Sequence, residues 1–102
     1  MNPQLVDARS EAAFERGHFA GAVSLPPDAV PVFAERELPL KTRELRVYGA
    51  RANDDAARAT ADELRKAGYD RVEVAPFGFE EAPEGITVEV GPARWEILGC
   101  GG

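Results

Sequence analysis

Cysteine is nearly absent from the sequence, since Cys100 is the only one among 102 residues. A single cysteine excludes an intramolecular disulfide, and the sequence has no cysteine cluster of the kind that holds zinc. No apolar run approaches the roughly 20 residues that a membrane-spanning helix needs. The N-terminus also lacks a basic region followed by an apolar stretch, which marks a secretion signal. We therefore expect a cytoplasmic protein that does not contact the membrane and has neither a metal nor a cofactor.

Positive charge is scarce as well. Twelve Lys and Arg stand against 18 Asp and Glu, which gives a net charge of −6. Proteins bind the phosphates of nucleic acids mainly with Lys and Arg, so this balance argues against nucleic acid as a partner. Hydrophobic residues make up 44% of the chain, which is normal for a folded protein. The length predicts a single domain that spans residues 1–102.

The N-terminal stretch predicts a strand, a charged turn and a short helix. The strand is Leu5–Val6, and Asp7 and Arg9 lie where it would end. Ser10 is placed to cap the helix, because its hydroxyl accepts a hydrogen bond from an early N–H group. Gly17 is expected to end the helix in the left-handed conformation that glycine adopts most easily.

The middle of the chain predicts a strand–helix–strand unit. Leu45–Tyr48 and Val72–Val74 are short apolar strands, and Asp55–Ala67 has apolar residues at helical spacing. Asn53 or Asp54 would cap this helix. Such a unit places two parallel strands in one sheet with a helix packed across them.

Three weaker elements complete the pattern. Val23–Leu25 is a strand candidate, and a short helix is expected around Glu35–Leu38. Ile86–Val90 alternates apolar and polar residues, which is typical of a strand with one face in solvent. Trp95–Leu98 would be its hairpin partner, so we expect a C-terminal β segment over residues 86–98.

One set of residues recurs in the order and near the spacing of a known motif: Asp7, Arg9, Phe14, Gly17, His18, Gly21, Ala22 and Pro26. With these residues the chain resembles the rhodanese-like domain family over about residues 5–82. The resemblance implies an α/β fold with a small, central, mostly parallel sheet flanked by helices.

The charged members of this motif also have the side chains of a catalytic group. We favour structural roles for them, because no serine or cysteine is placed beside His18 by the sequence. Asp7 and Arg9 would hold the turn and connect strands. His18 would hydrogen-bond the backbone of its loop, and Gly17 and Gly21 would shape that loop.

The resemblance also implies a reaction-centre loop after the strand Leu45–Tyr48. In active members a cysteine begins this loop, and inward-facing amides and the following helix stabilise its thiolate. Here Gly49 takes the cysteine position, and Asp54 takes a position that is often basic. The loop comprises Gly49, Ala50, Arg51, Ala52, Asn53 and Asp54.

Two interpretations of this loop remain open. In the first, the chain has the rhodanese-like fold but does not catalyse sulfur transfer, and Asp54 and Asp55 serve only as helix caps. In the second, the loop binds a small ligand through Arg51 and its backbone amides. The function that we favour is a non-catalytic rhodanese-like domain that binds a protein or a small anion.

The alternative function is sulfur transfer of the rhodanese type, with Cys100 as a displaced nucleophile. The terminal Gly101–Gly102 also resembles the end of sulfur-carrier proteins, although those have a β-grasp strand pattern that this sequence lacks. A glycine-rich tail with an incidental cysteine is the interpretation we favour.

Members of the family usually begin with an extra strand and helix, whereas only residues 1–4 precede the first strand here. This difference predicts an open sheet edge, and open edges invite aggregation. We expect the C-terminal β segment to pack on the domain and cover that edge.

Overall fold

The computed structural model describes residues 3–92. Short 3-10 turns occur at Pro27–Ala29 and Phe79–Glu81. No helix in this part of the chain is long and apolar enough to cross a bilayer. The strands and helices, in chain order, are β1 (Gln4–Asp7), α1 (Glu11–Arg16), β2 (His18–Phe19), β3 (Val23–Ser24), α2 (Val30–Glu37), β4 (Leu45–Tyr48), α3 (Asp55–Lys66), β5 (Val72–Val74) and β6 (Val88–Glu89).

Four strands form a parallel sheet in the order β3-β1-β4-β5. Val6 in the middle of β1 lies beside Val23 of β3 and Val47 of β4, and Val47 lies beside Val74 of β5. Parallel strands are joined by crossovers that place helices on the sheet, so their side chains are apolar. The predicted α/β fold with a mostly parallel central sheet is confirmed.

The helix α3 packs on β4, β5 and α2 through a narrow face of small residues. Ala57, Ala61 and Leu64 are buried, as the helical spacing predicts. Thr60 is buried beside them, and its hydroxyl donates to the backbone carbonyl of Leu25 over 2.9 Å. Full burial of a leucine such as Leu64 contributes about 1.5–3 kcal/mol. This face therefore fixes the helix whose N-terminus adjoins the loop after β4.

A second, two-stranded antiparallel sheet pairs β2 with β6. His18 lies beside Glu89, and Phe19 lies beside Val88. His18 and Phe19 therefore form a strand, and the loop that we expected at these residues is wrong. The pairing partner lies far along the chain, so no local pattern marks β2 as a strand.

Residues 86–92 of the predicted C-terminal β segment pack on the domain by a different route from the one we expected. Ile86 packs against the small core cluster of Phe19, Tyr48 and Ala75. Only Val88–Glu89 of the predicted strand is a strand, and it pairs with β2 rather than with the four-stranded sheet. The expected edge covering is therefore wrong for residues 86–92. The predicted hairpin partner Trp95–Leu98 lies outside the described residues.

Candidate functional site

The parallel strands β1 and β4 end side by side, with Asp7 in register with Tyr48. The turn after β1 and the loop after β4 therefore begin at one edge of the sheet, where open α/β sheets usually bind ligands. The side chains that follow these two strands define the candidate site.

The carboxylate of Asp7 is completely buried and fully hydrogen-bonded. It accepts from the backbone N–H of Arg9 at 2.9 Å, from Arg9 Nη2 at 2.6 Å and from the Tyr48 hydroxyl at 2.9 Å. The same hydroxyl accepts from the N–H of Phe19 at 3.1 Å. Burial raises the pKa of Tyr48 far above its ordinary value, and the charge of Asp7 raises it further.

Arg9 extends this network to the end of α1 and to the turn after β5. Its Nη2 atom donates to the carbonyl of Gly17 at 2.6 Å, and its guanidinium lies 4.1 Å from the ring centroid of Phe79. Burial opposes the charge of Arg9, but its hydrogen bonds and ion pair with Asp7 raise its pKa above the ordinary value. Asp7 and Arg9 therefore tie strands together, and this geometry supports the predicted structural role.

His18 is buried in β2 and held by α1. Its Nδ1 atom lies 2.8 Å from the carbonyl oxygen of Phe14, and the two rings stack with centroids 3.6 Å apart. A carbonyl only accepts, so Nδ1 carries the proton and Nε2 faces Glu89 Oε1 at 3.7 Å. Gly21, which follows β2, has a φ of +82° that favours glycine. Both residues shape the β2 turn.

Gly17 ends α1, but not in the left-handed conformation that we expected. Its φ of 166° is extended backbone that any residue adopts. A Cβ atom at this position would lie 3.2 Å from Cζ of Phe79 and 3.5 Å from Cγ1 of Val88. Close packing of these two side chains, rather than backbone freedom, is the physical reason for glycine here.

Asp54 closes the loop between β4 and α3. One oxygen of its carboxylate accepts from the N–H groups of Ala56 at 2.8 Å and Ala57 at 3.4 Å, as an N-cap does. The other oxygen accepts from the N–H of Ala50 at 3.3 Å. Asn53 does not cap the helix but turns the chain, with a φ of 57° that asparagine tolerates well. The sequence left open which of the two would be the cap.

The interior of this loop is occupied by the Asp54 side chain. A Cβ atom placed on Gly49 would lie 2.4 Å from Cγ of Asp54 and 2.6 Å from its Oδ1 atom. The loop also contacts Gly78, where a Cβ atom would lie 2.2 Å from the backbone nitrogen of Arg51. Two backbone hydrogen bonds hold this contact, from Phe79 to Gly49 and from Glu80 to Ala50, both at 2.9 Å.

Further carboxylates line the outside of the loop. The N–H of Ala52 donates to Glu81 Oε1 at 2.7 Å, and Arg51 Nε lies 3.6 Å from Glu80 Oε1. The Arg51 side chain is 76% exposed, so it points into solvent rather than towards the Asp54 carboxylate. Within residues 3–92, no group of three His, Cys, Asp or Glu side chains is arranged to hold a metal ion.

Sequence reasoning missed two residues that shape the site. Tyr48 was noted only as the end of a strand, yet its hydroxyl connects Asp7 to Phe19. Gly78 permits close contact between the turn after β5 and the loop after β4. A buried tyrosine needs a hydrogen-bond partner, so Tyr48 offered a signal. Nothing local marks the role of Gly78.

A family model of the rhodanese-like domain matches residues 1–82. No curated protein is significantly similar to the chain.

Solved structures repeat the fold. A rhodanese-like domain of an Anabaena protein is 27% identical, with a TM-score of 0.72 over 87% of this chain and 100% of that one. An Escherichia coli rhodanese solved with anions is 20% identical, with a TM-score of 0.71 over 88% of this chain and 100% of that one. A Pseudomonas aeruginosa thiosulfate sulfurtransferase is 22% identical, with a TM-score of 0.75 over 86% of this chain and 17% of that one.

Proposed function

The chain belongs to the rhodanese-like domain family, and we propose that it is a non-catalytic member that binds a protein partner. The observation that carries this proposal is the state of the loop after β4. Gly49 supplies no nucleophile, and the carboxylate of Asp54 fills the space that a side chain at residue 49 would need. Sulfur transfer at this loop would require both residues to be different.

The electrostatics of the loop support the same proposal. A persulfide or a thiosulfate is an anion, which a loop stabilises with free N–H groups and positive charge. Here the N–H groups of Ala50, Ala56 and Ala57 already donate to the Asp54 carboxylate. An incoming anion would have to displace the Asp54 carboxylate, which is part of the chain and therefore always present in the loop.

The same observations favour a protein over a small anion as the ligand. Besides Asp54, the carboxylates of Glu80 and Glu81 lie at the loop, and the N–H of Ala52 donates to Glu81. The cation of Arg51 is paired with Glu80 and largely exposed. Like charges weaken anion binding at this point, whereas a protein surface tolerates them at its rim.

The alternative function, sulfur transfer through Cys100 or the terminal Gly101–Gly102, involves residues outside the described part of the chain. No described contact favours it, so it remains a prediction of the sequence. The expected cytoplasmic location also remains a prediction.

The test is an assay of thiocyanate formed from thiosulfate and cyanide. We expect the full chain to form no more thiocyanate than a small free thiol at the same concentration, because the loop has no nucleophile. A Cys100→Ser variant is the matched control, since it removes the only thiol.

Two results would contradict the proposal in different ways. Turnover well above the free-thiol baseline that disappears in Cys100→Ser would establish the alternative function. Turnover that persists in Cys100→Ser would mean that the reaction centre is not the loop after β4.

A further inference from the structure

One groove of the domain holds a segment of the chain itself, residues 86–91, which we term the docked segment. The N–H of Ala20 donates to the carbonyl of Thr87 at 2.8 Å, and the N–H of Gly91 donates to the carbonyl of Glu15 at 3.0 Å. Between these two bonds β6 pairs with β2 in antiparallel register. The groove therefore binds the docked segment through its backbone, as a sheet binds an added strand.

Two aliphatic side chains of the docked segment contact the groove. Ile86 packs against the small core cluster that contains Phe19 and Tyr48. Val88 lies opposite Phe19 across the two strands, and a Cβ atom on Gly17 would lie 3.5 Å from its Cγ1 atom. Alternate side chains of a strand lie on one face, so the groove accepts aliphatic residues at two positions separated by one residue.

A carboxylate follows these two side chains. Glu89 Oε1 accepts from the N–H of Gly21 at 3.3 Å, and it faces His18 Nε2 at 3.7 Å. A lysine or arginine at this position has only donors, so it would not accept from the N–H of Gly21. The groove therefore favours an acidic residue directly after the second aliphatic one.

The docked segment is separable from the rest of the domain. It lies outside the four-stranded sheet, and the residues that connect it to the domain, 82–85, are exposed. Within it, Val88 is 48% exposed and Val90 is 74% exposed. Segments with few buried contacts open at a lower free energy than the core. We therefore expect the docked segment to leave the groove while the parallel sheet remains folded.

We infer that this groove is where the protein partner binds, and that the docked segment is an autoinhibitory contact, which an extended segment of the partner replaces. The partner segment has two aliphatic residues at alternate positions and an acidic residue directly after the second. This inference rests on the proposed function, because it identifies the surface and the chemistry of the partner.

The energetics favour a different protein over a second copy of this chain. Exchange of docked segments between two copies replaces each contact with an identical one, so nothing offsets the loss of translational and rotational freedom on association. A partner with the same pattern adds contacts outside the groove, and these offset that loss.

The probe is a synthetic peptide with the sequence of residues 84–92, Glu-Gly-Ile-Thr-Val-Glu-Val-Gly-Pro, acetylated and amidated at its ends. It is added to the isotope-labelled full chain at up to about 10 mM, because a tethered segment competes at an effective concentration of the order of millimolar. Amide hydrogen exchange is followed by NMR, which detects only the labelled chain. We expect Gly91 to exchange at least about tenfold faster with peptide, whereas Ala20 stays protected by the carbonyl that the peptide supplies.

A second peptide tests the acidic position, with lysine in place of the glutamate that matches Glu89. It should bind at least about fivefold more weakly, since the charged acceptor for the N–H of Gly21 is lost. The peptide concentration that gives half of the acceleration at Gly91 measures this difference.

A disulfide variant tests the displacement itself. Ala20 and Thr87 form a hydrogen-bonded pair of opposite residues, and the Cα atoms of such a pair are about 5.5 Å apart, which a disulfide spans. When oxidised, Ala20→Cys with Thr87→Cys in a Cys100→Ser background holds the docked segment in the groove. The peptide should leave the exchange of Gly91 unchanged in this form and accelerate it at least about tenfold in the reduced form, which is the matched control. Thermal unfolding of both forms checks that each one folds.

Each of the other outcomes would overturn the inference. No change at Gly91 without the disulfide would mean that the docked segment is a fixed part of the fold. Loss of protection at both Gly91 and Ala20 would mean that the groove opens without taking up the peptide. Equal binding of both peptides would reject the acidic position. Dimerisation of the free chain that the disulfide abolishes, measured by sedimentation, would assign the groove to a second copy. These results are independent of thiocyanate formation, which tests the proposed function alone.

Discussion

Two carboxylates lie at or after the ends of neighbouring strands, Asp7 as the last residue of β1 and Asp54 in the loop after β4, and their roles differ. Asp7 is completely buried, and its partners include the guanidinium of Arg9 and the hydroxyl of Tyr48. Asp54 is only partly buried, and all its described hydrogen bonds come from backbone N–H groups of its own loop and helix. One carboxylate connects distant parts of the fold, and the other fills a local cavity.

The two carboxylates differ in how much stability is lost when their hydrogen-bonding is disrupted. A charge that is buried without its counterion is strongly unfavourable, so the Asp7 network is a single structural unit. Backbone N–H groups at the start of a helix can hydrogen-bond to water when their cap is removed, so the loss of stability is smaller. The Asp7 network therefore holds the fold, whereas Asp54 determines what the loop can accommodate.

The largest loss of stability is expected from Arg9→Met. Methionine keeps much of the side-chain volume but leaves the Asp7 carboxylate buried without its cation. The free energy of unfolding should fall by about 3–5 kcal/mol, the range for a broken buried ion pair. Urea denaturation followed by circular dichroism measures this change.

The matched control for that change is Arg46→Met. Arg46 also pairs with a carboxylate, Glu73, at 2.6 Å, but both side chains are exposed to solvent. The loss should be at most about 1 kcal/mol. If the two variants lose equal stability, the Asp7 network does not hold the fold and the comparison fails.

A smaller loss of stability is expected from Gly49→Cys. The new Cβ atom would lie 2.4 Å from Cγ of Asp54, so the loop must shift. Overpacking of this kind lowers stability by about 1–3 kcal/mol. The same substitution in an Asp54→Gly background should be less destabilising, because the clash is gone and glycine is an acceptable N-cap.

The double variant also tests the proposed function. Once Asp54 is gone, the cysteine faces the amides that its carboxylate occupied, and its pKa should fall below the usual ~8.5. The pH dependence of alkylation measures that pKa, with Cys100→Ser in every variant so that one thiol is followed. An additive double-mutant cycle, or an ordinary thiol pKa, would mean that Asp54 does not exclude a side chain at residue 49.

The sequence predicted the parts of this comparison that depend on local pattern. The strands β1 and β4, the helix α3 and a cap at either Asn53 or Asp54 follow from apolar spacing and from capping chemistry. The helix α2 was expected around Glu35–Leu38 but begins at Val30, because Pro31 starts a helix rather than interrupting it.

The parts that depend on distant contacts were not predictable. The strand β2 exists because β6 pairs with it, and the glycine at residue 17 is explained by side chains from residues 79 and 88. The overlap of Asp54 with the space beside Gly49 depends on the shape of a six-residue loop. Hydrophobic periodicity contains no information on such contacts, so the sequence could name the residues of the loop but could not predict that the Asp54 side chain fills it.

The smallest loss of stability is expected when the cap of α3 is removed. The sharpest test of Asp54 as that cap compares two adjacent aspartates. Asp54→Ala removes the acceptor for three N–H groups and should lower the free energy of unfolding by about 1 kcal/mol. Asp55→Ala is the control, because the Asp55 side chain is 93% exposed and, among the described residues, its ion pair is with Arg58 one turn later. Its loss should be a few tenths of a kcal/mol at most, roughly the value of such a helical pair. Urea denaturation resolves the difference, and equal losses would show that Asp54 acts through its charge near the helix start rather than through its hydrogen bonds.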